Sequence, residues 1–139
     1  MTVLSPATDW SASVLEEFWA RQTNGHVGTR LLAETDLVRV WETRLRPGER
    51  IGFHRHVLNY CWTAMSSGTS RSHHESGSIR ERTYKPGDSA YYEYEAGDFR
   101  FHDLENVGST ELVFAIVERL DSPNAPINLH AIDRVTASS

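Results

Sequence analysis

The stretch spanning residues 47–68, PGERIGFHRHVLNYCWTAMSSG, constrains this chain more than any other, because it sets His54 and His56 one residue apart in a strand-like context. Side chains at i and i+2 of a strand share a face. At a rise of roughly 3.3 Å per residue their Cα atoms lie about 6–7 Å apart, close enough for both imidazoles to lean onto one metal ion. The Pro47-Gly48 pair ahead of them permits a tight reversal into the strand. Two ligands are an incomplete set, so the chain must bring at least one more from a distant segment.

Five other histidines are available, at 26, 73, 74, 102 and 130. His102 is the best candidate: it lies in a short strand-like run from Arg100 that is closed by the turn signal Asn106-Val107-Gly108-Ser109. His73 and His74 flank a hairpin turn, and adjacent strand residues face opposite ways, so at most one of them looks inward. Period-two patterning predicts strands over 29–33, 37–45, 52–64, 69–74, 79–84, 89–95, 100–104 and 111–120, which is a barrel or sandwich of seven or eight short strands. Ahead of them Ser13-Val14-Leu15-Glu16 reads as a capping box opening one short helix. Its Leu15/Phe18/Trp19 face must pack on the barrel or on a second subunit, since so short a helix is not stable alone. Residues 1–12 read as a loosely ordered arm.

These residues resemble the cupins, small double-stranded β-helix barrels with a metal site inside. The family's first motif reads here as Gly48, five residues, His54-Arg55-His56, four residues, Cys61, six residues, Gly68; Cys61 stands where the family usually has Glu. The tail of the second motif is met by His102 and Asn106, without the family's preceding Pro-x-Gly. Over roughly 37–120 the resemblance implies an all-β fold, a cupin jelly-roll barrel with a short N-terminal α-helix. It also implies a divalent metal held by His54, His56 and His102, with Fe(II) favoured and Zn, Ni or Mn as alternatives. The missing Glu makes the site similar to cupins of the thiol-dioxygenase type, three histidines on iron with open positions. A looser likeness is to small cupins labelled as β-alanine degradation proteins.

The fourth place has two readings. Strand alternation puts Tyr60 on the His54/His56 face, whereas a bulge would turn Cys61 there, and a thiolate would make the site softer and favour zinc. Arg100, two residues before His102, shares its face in a regular strand. A guanidinium beside a divalent ion needs an anion, supplied either by a substrate carboxylate or by an internal Glu such as Glu93 or Glu95, unless Arg100 exits to solvent. Tyr60 is then the candidate proton donor and Arg100 the candidate anion anchor, while Tyr91, Tyr92, Tyr94 and Trp62 line the cavity or fill the core.

A length of 139 residues suits one core, divided as arm and helix 1–25, barrel 26–120 and tail 121–139. The formal net charge of −5, with no block of Lys or Arg, argues against a nucleic-acid partner. No apolar run approaches the ~20 residues of a membrane span. The N-terminal text lacks a basic-then-apolar signal, and Cys61, the single cysteine, cannot form an internal disulfide; both point to the cytoplasm. Apolar faces on the helix and the last strand point to a homodimer. The favoured function is a metal-dependent oxidoreductase, dioxygenase-like, acting on a small carboxylate-bearing substrate. The alternatives are a non-catalytic small-molecule-binding or sensor barrel and a metal-assisted isomerase or lyase.

Overall fold

The computed structural model describes residues 2–129. Its elements are α1 (Ala12–Ala20), β1 (Arg30–Glu34), β2 (Val38–Leu45), β3 (Arg50–His56), β4 (Tyr60–Ala64), β5 (Gly68–His73), β6 (Ile79–Tyr84), β7 (Ser89–Tyr92), β8 (Arg100–Asn106) and β9 (Leu112–Arg119). The strands form two antiparallel sheets, ordered β1-β2-β9-β4-β7 and β3-β8-β5-β6. They are the two walls of a jelly roll. Trp41, Leu45, Tyr60, Ala64, Tyr84, Leu112, Phe114 and Ile116 fill the space between them. Alternation builds this interior: β9 reads buried at every second residue from Leu112 to Glu118, with half-buried Val113, Ala115 and Val117 between. The Pro47-Gly48 turn forms as expected and Pro86-Gly87 makes a second, with Gly48 and Gly87 at positive φ, where a side chain would be strained.

The strand expected over 52–64 is in fact two strands in different sheets. β3 ends at His56, and Val57-Leu58-Asn59 carries the chain across to β4. Leu58 is buried at this corner. Asn59 fixes it: its backbone N–H donates to Ser122 Oγ, its Oδ1 accepts from Tyr94 N and its carbonyl accepts from Arg119 N. The polar groups freed by leaving one ladder are thereby paired before the next begins.

The helix also differs from expectation. Ser11, not Ser13, is the N-cap, accepting from Val14 N at 3.3 Å. Phe18 is fully buried, but Trp19 is 56% exposed, because successive helical residues point about 100° apart and cannot both centre on one contact. Phe18 meets Phe53 and Phe101 edge-on, at 5.3 and 4.9 Å between ring centres, and those two rings stack on each other at 5.2 Å. Phe53 and Phe101 immediately precede His54 and His102, so this aromatic cluster is the rear support of the histidine strands. Burying each such ring contributes roughly 1.5–3 kcal/mol.

The N-terminal arm is docked rather than loose. Thr2 Oγ1 donates to the Phe99 carbonyl, Ser5 N donates to the Glu75 carbonyl at 2.7 Å, and Trp10 is buried against Phe18 and Phe53. Of the expected tail, residues 121–129 run along the barrel, where Asn124 Nδ2 donates to the carbonyls of Val57 and Glu95. His130 lies outside the described residues.

Candidate metal centre

Antiparallel pairing of β3 with β8 sets His54 directly opposite His102 and His56 opposite Arg100. His54, His56 and His102 therefore converge, with ring centres 4.8–5.0 Å apart and one ligand nitrogen from each within 4.8 Å of the others. His54 and His56 are only 3% and 2% exposed. The Nδ1 of His54 lies 2.8 Å from the Gly52 carbonyl, which sets the N–H on Nδ1 and leaves the Nε2 lone pair for an ion. The Nε2 atoms of His56 and His102 face each other at 3.1 Å, a spacing that two nitrogens adopt as neighbours on one ion with bonds of about 2.1 Å. Their Nδ1 atoms are buried without a hydrogen-bond partner among the described residues.

Burial pushes the His54 imidazolium down to about 4, against the opposing pull of the Gly52 carbonyl. His56 and His102 are held well below the usual histidine range, first by burial, then by the other histidines and Arg100. All three rings are neutral at pH 7, the state that binds metal. The donor set fits a divalent transition-metal ion.

Tyr60 lines the cavity and stacks on His56, ring centres 4.1 Å apart and 15° from parallel. Burial, reinforced by Tyr94, holds its phenol well above 10, so it remains a proton donor. Cys61, half-buried and paired with Val117 and Tyr91 in the sheet, is not among the cavity's lining residues. Of the two residues, Tyr60 faces the cavity and Cys61 does not. Arg100 also lines the cavity, its guanidinium 4.9 Å from the Tyr92 ring centre. Neither Glu93 nor Glu95 pairs with it; both carboxylate residues are exposed.

One residue was underrated in the sequence. His74 is buried on the cavity wall, bridged to His102 through the backbone, its ring 5.2 Å from that of His102 and its Nε2 3.1 Å from Ser72 Oγ. His73 turns the other way, onto Asp103 and Trp10. Strand alternation allowed at most one of the pair to look inward, without saying which.

No protein-family model matches the sequence, and no curated protein is similar enough to count as a relative. Solved structures do match. A cupin domain from Bordetella pertussis is 26% identical over 65% of this chain and 88% of its own, with a TM-score of 0.57. A conserved protein with a double-stranded β-helix domain from Klebsiella pneumoniae is 27% identical over 88% of this chain and 93% of its own, at 0.52. A cupin family protein from Methanocaldococcus jannaschii shares the fold at 19% identity, covering 75% of this chain and 83% of its own, at 0.53. The barrel has the cupin fold, a double-stranded β-helix.

In this barrel the three histidines stand at the wall of a cavity of about 230 Å³ between the sheets. No helix among the described residues is long and apolar enough to cross a membrane. Burial of the imidazoles also has a consequence for stability. His54 and His74 both protonate near pH 4 in the fold, His74 through burial and the nearby Arg100 and Arg80, against about 6.5 when unfolded. Between those values the unfolded chain binds the extra protons. Stability of the metal-free protein is therefore full above about pH 6.5 and falls as pH drops toward 4, with His54 alone accounting for up to about 3 kcal/mol. Urea unfolding midpoints between pH 8 and 4 measure this, and a flat profile would contradict the burial.

Proposed function

We propose that the cavity is the active site of a metal-dependent enzyme acting on a small organic acid, with Fe(II)- and O₂-dependent oxygenation the favoured chemistry. The observation that carries this reading is a centre of three neutral imidazoles, opening into a cavity where Arg100 has no carboxylate partner; among the described residues no carboxylate or thiolate joins the cluster or pairs with that arginine. A bound ion supplies Lewis acidity and open positions for substrate or O₂. Arg100 anchors and orients the substrate carboxylate through a forked pair of hydrogen bonds. Tyr60, kept protonated by burial, donates a proton or a hydrogen bond to the reacting oxygen. Trp62, Tyr84 and Tyr92 line the rest of the cavity and limit water.

His74 favours a second reading. A neutral imidazole on the cavity wall is the base that metal-assisted isomerisation or elimination requires, and such chemistry consumes no O₂. Iron-loaded protein assayed over small carboxylates and thiols, with O₂ uptake and product formation followed together, separates the two. Uptake matched to product supports oxygenation; product without uptake supports the second reading. No response from a fully loaded site leaves a binding or sensor barrel. For assembly we propose a homodimer through the outer face of the five-stranded sheet, where Leu32 and Met65 are exposed beside Val113; light scattering reads the mass.

A further inference from the structure

The chain carries a formal charge of −5, yet the charged side chains lining the cavity are Arg80, Arg82, Arg100 and Glu81. Glu81 is engaged by Arg71 at 2.8 Å. None of the three arginines has a carboxylate partner among the described residues. Their placement follows from the strands. β6 is the edge of its sheet, and Arg80 and Arg82 share its cavity face with buried Tyr84. They lie across from Ser72 and Ser70 of β5, which also line the cavity. Arg82 is held at the mouth by Trp62 and Tyr84, 4.8 and 5.6 Å from its guanidinium. Arg100 stands on β8, on the far side of β5; the registers set Arg80 level with Leu104 and Arg82 level with Asn106, so two strand spacings across and four or six residues along separate their Cα atoms from that of Arg100 by about 16 and 22 Å.

Unpaired cations around a low-dielectric cleft repel one another and draw anions from solution. Arginine forks match carboxylates two bonds at a time. Here such cations form two groups, with His74 between them and electrostatically coupled to both Arg100 and Arg80. A cavity of about 230 Å³ is below the ~300 Å³ at which pockets begin to hold drug-sized ligands, which favours a short acid over a nucleotide.

We infer that the cavity takes a small dicarboxylate, one carboxylate on Arg100 beside the histidine centre and the other on Arg80 and Arg82 at the mouth. The first half rests on the metal-site reading above; the second rests on the arginines alone.

The test is calorimetric titration of zinc-loaded protein, redox-inert, with succinate, glutarate and adipate, each against the monocarboxylate of equal length. The best dicarboxylate is expected to bind at least about tenfold tighter than its monocarboxylate counterpart. The double variant R80Q/R82Q removes that preference while keeping monocarboxylate affinity and metal content, and R100Q weakens both classes of ligand. Equal affinity for the two classes, an unchanged preference in R80Q/R82Q, or no binding of any of these acids overturns the inference. Elemental analysis of the parent decides the metal reading separately. If no metal is retained that reading falls, and the same titrations on metal-free protein still decide whether the β6 arginines select a second carboxylate.

Discussion

A His56→Ala variant purified without added metal is expected to retain less than a tenth of the parent's metal, with affinity down by more than about 100-fold. Changing a group that merely supports a metal ligand costs ~10–100-fold, and His56 supplies one of the three nitrogens that converge among the described residues, its Nε2 3.1 Å from that of His102. The two that remain, His54 and His102, lie opposite each other on neighbouring strands and lose the donor that closes the set. The barrel should persist, since the lost ring contacts the cavity and Tyr60 rather than the aromatic cluster behind β3. Far-UV circular dichroism checks this alongside elemental analysis. Two controls sharpen the result: His73→Ala, whose ring faces Asp103, and His74→Ala, whose ring is outside the three-nitrogen set, should both keep their metal. Full stoichiometry in His56→Ala would mean that the ligand set is wrong.

How far the site was legible depends on which residue is considered. His54 and His56 share a face by alternation, which is local and readable. His102 reaches them through a pairing that spans 46 residues between His56 and His102, and no local pattern specifies such a register; the motif resemblance supplied it. Tyr60 was expected on the cavity side by counting along one strand, and it arrives there by another route, from the opposite sheet. The corner at Val57-Leu58-Asn59 was hidden because it contains neither Gly nor Pro. What makes it is a buried Leu58 and the three hydrogen bonds of Asn59, all to residues remote in sequence. The helix cap slipped for a related reason: Ser11 and Ser13 are chemically equal, and Ser11 caps where the docked Trp10 and Phe18 fix the start of the helix. Arg80 and Arg82 lie on a strand predicted to the residue, but their role is visible only once β6 is seen to border the cavity.

The second large effect is on stability and falls behind the site. Asp103→Ala is expected to cost about 3 kcal/mol, the low end for breaking a buried ion pair because Arg50 is partly exposed to solvent. Asp103 is 1% exposed and next to His102, so it faces away from the cavity. Its carboxylate accepts from His73 N at 2.6 Å, from His73 Nδ1 at 2.9 Å and from Arg50 Nε at 2.9 Å. Arg50 in turn grips Glu17 of α1 at 2.6 Å, and Glu17 also accepts from Phe53 N. One carboxylate thus ties β8 to β5 and, through Arg50, to β3 and the helix. Its loss strands a buried backbone N–H and leaves Arg50 with Glu17 alone. For a chain of this size the melting temperature should fall by about 10 °C, and by the same amount with and without metal. That insensitivity to metal separates Asp103→Ala from His56→Ala, in which the metal-free melting temperature stays near the parent's and only the stabilisation by added metal disappears. A drop under about 1 kcal/mol would show that Phe18, Phe53 and Phe101 hold the rear of the histidine strands without help from the buried charge.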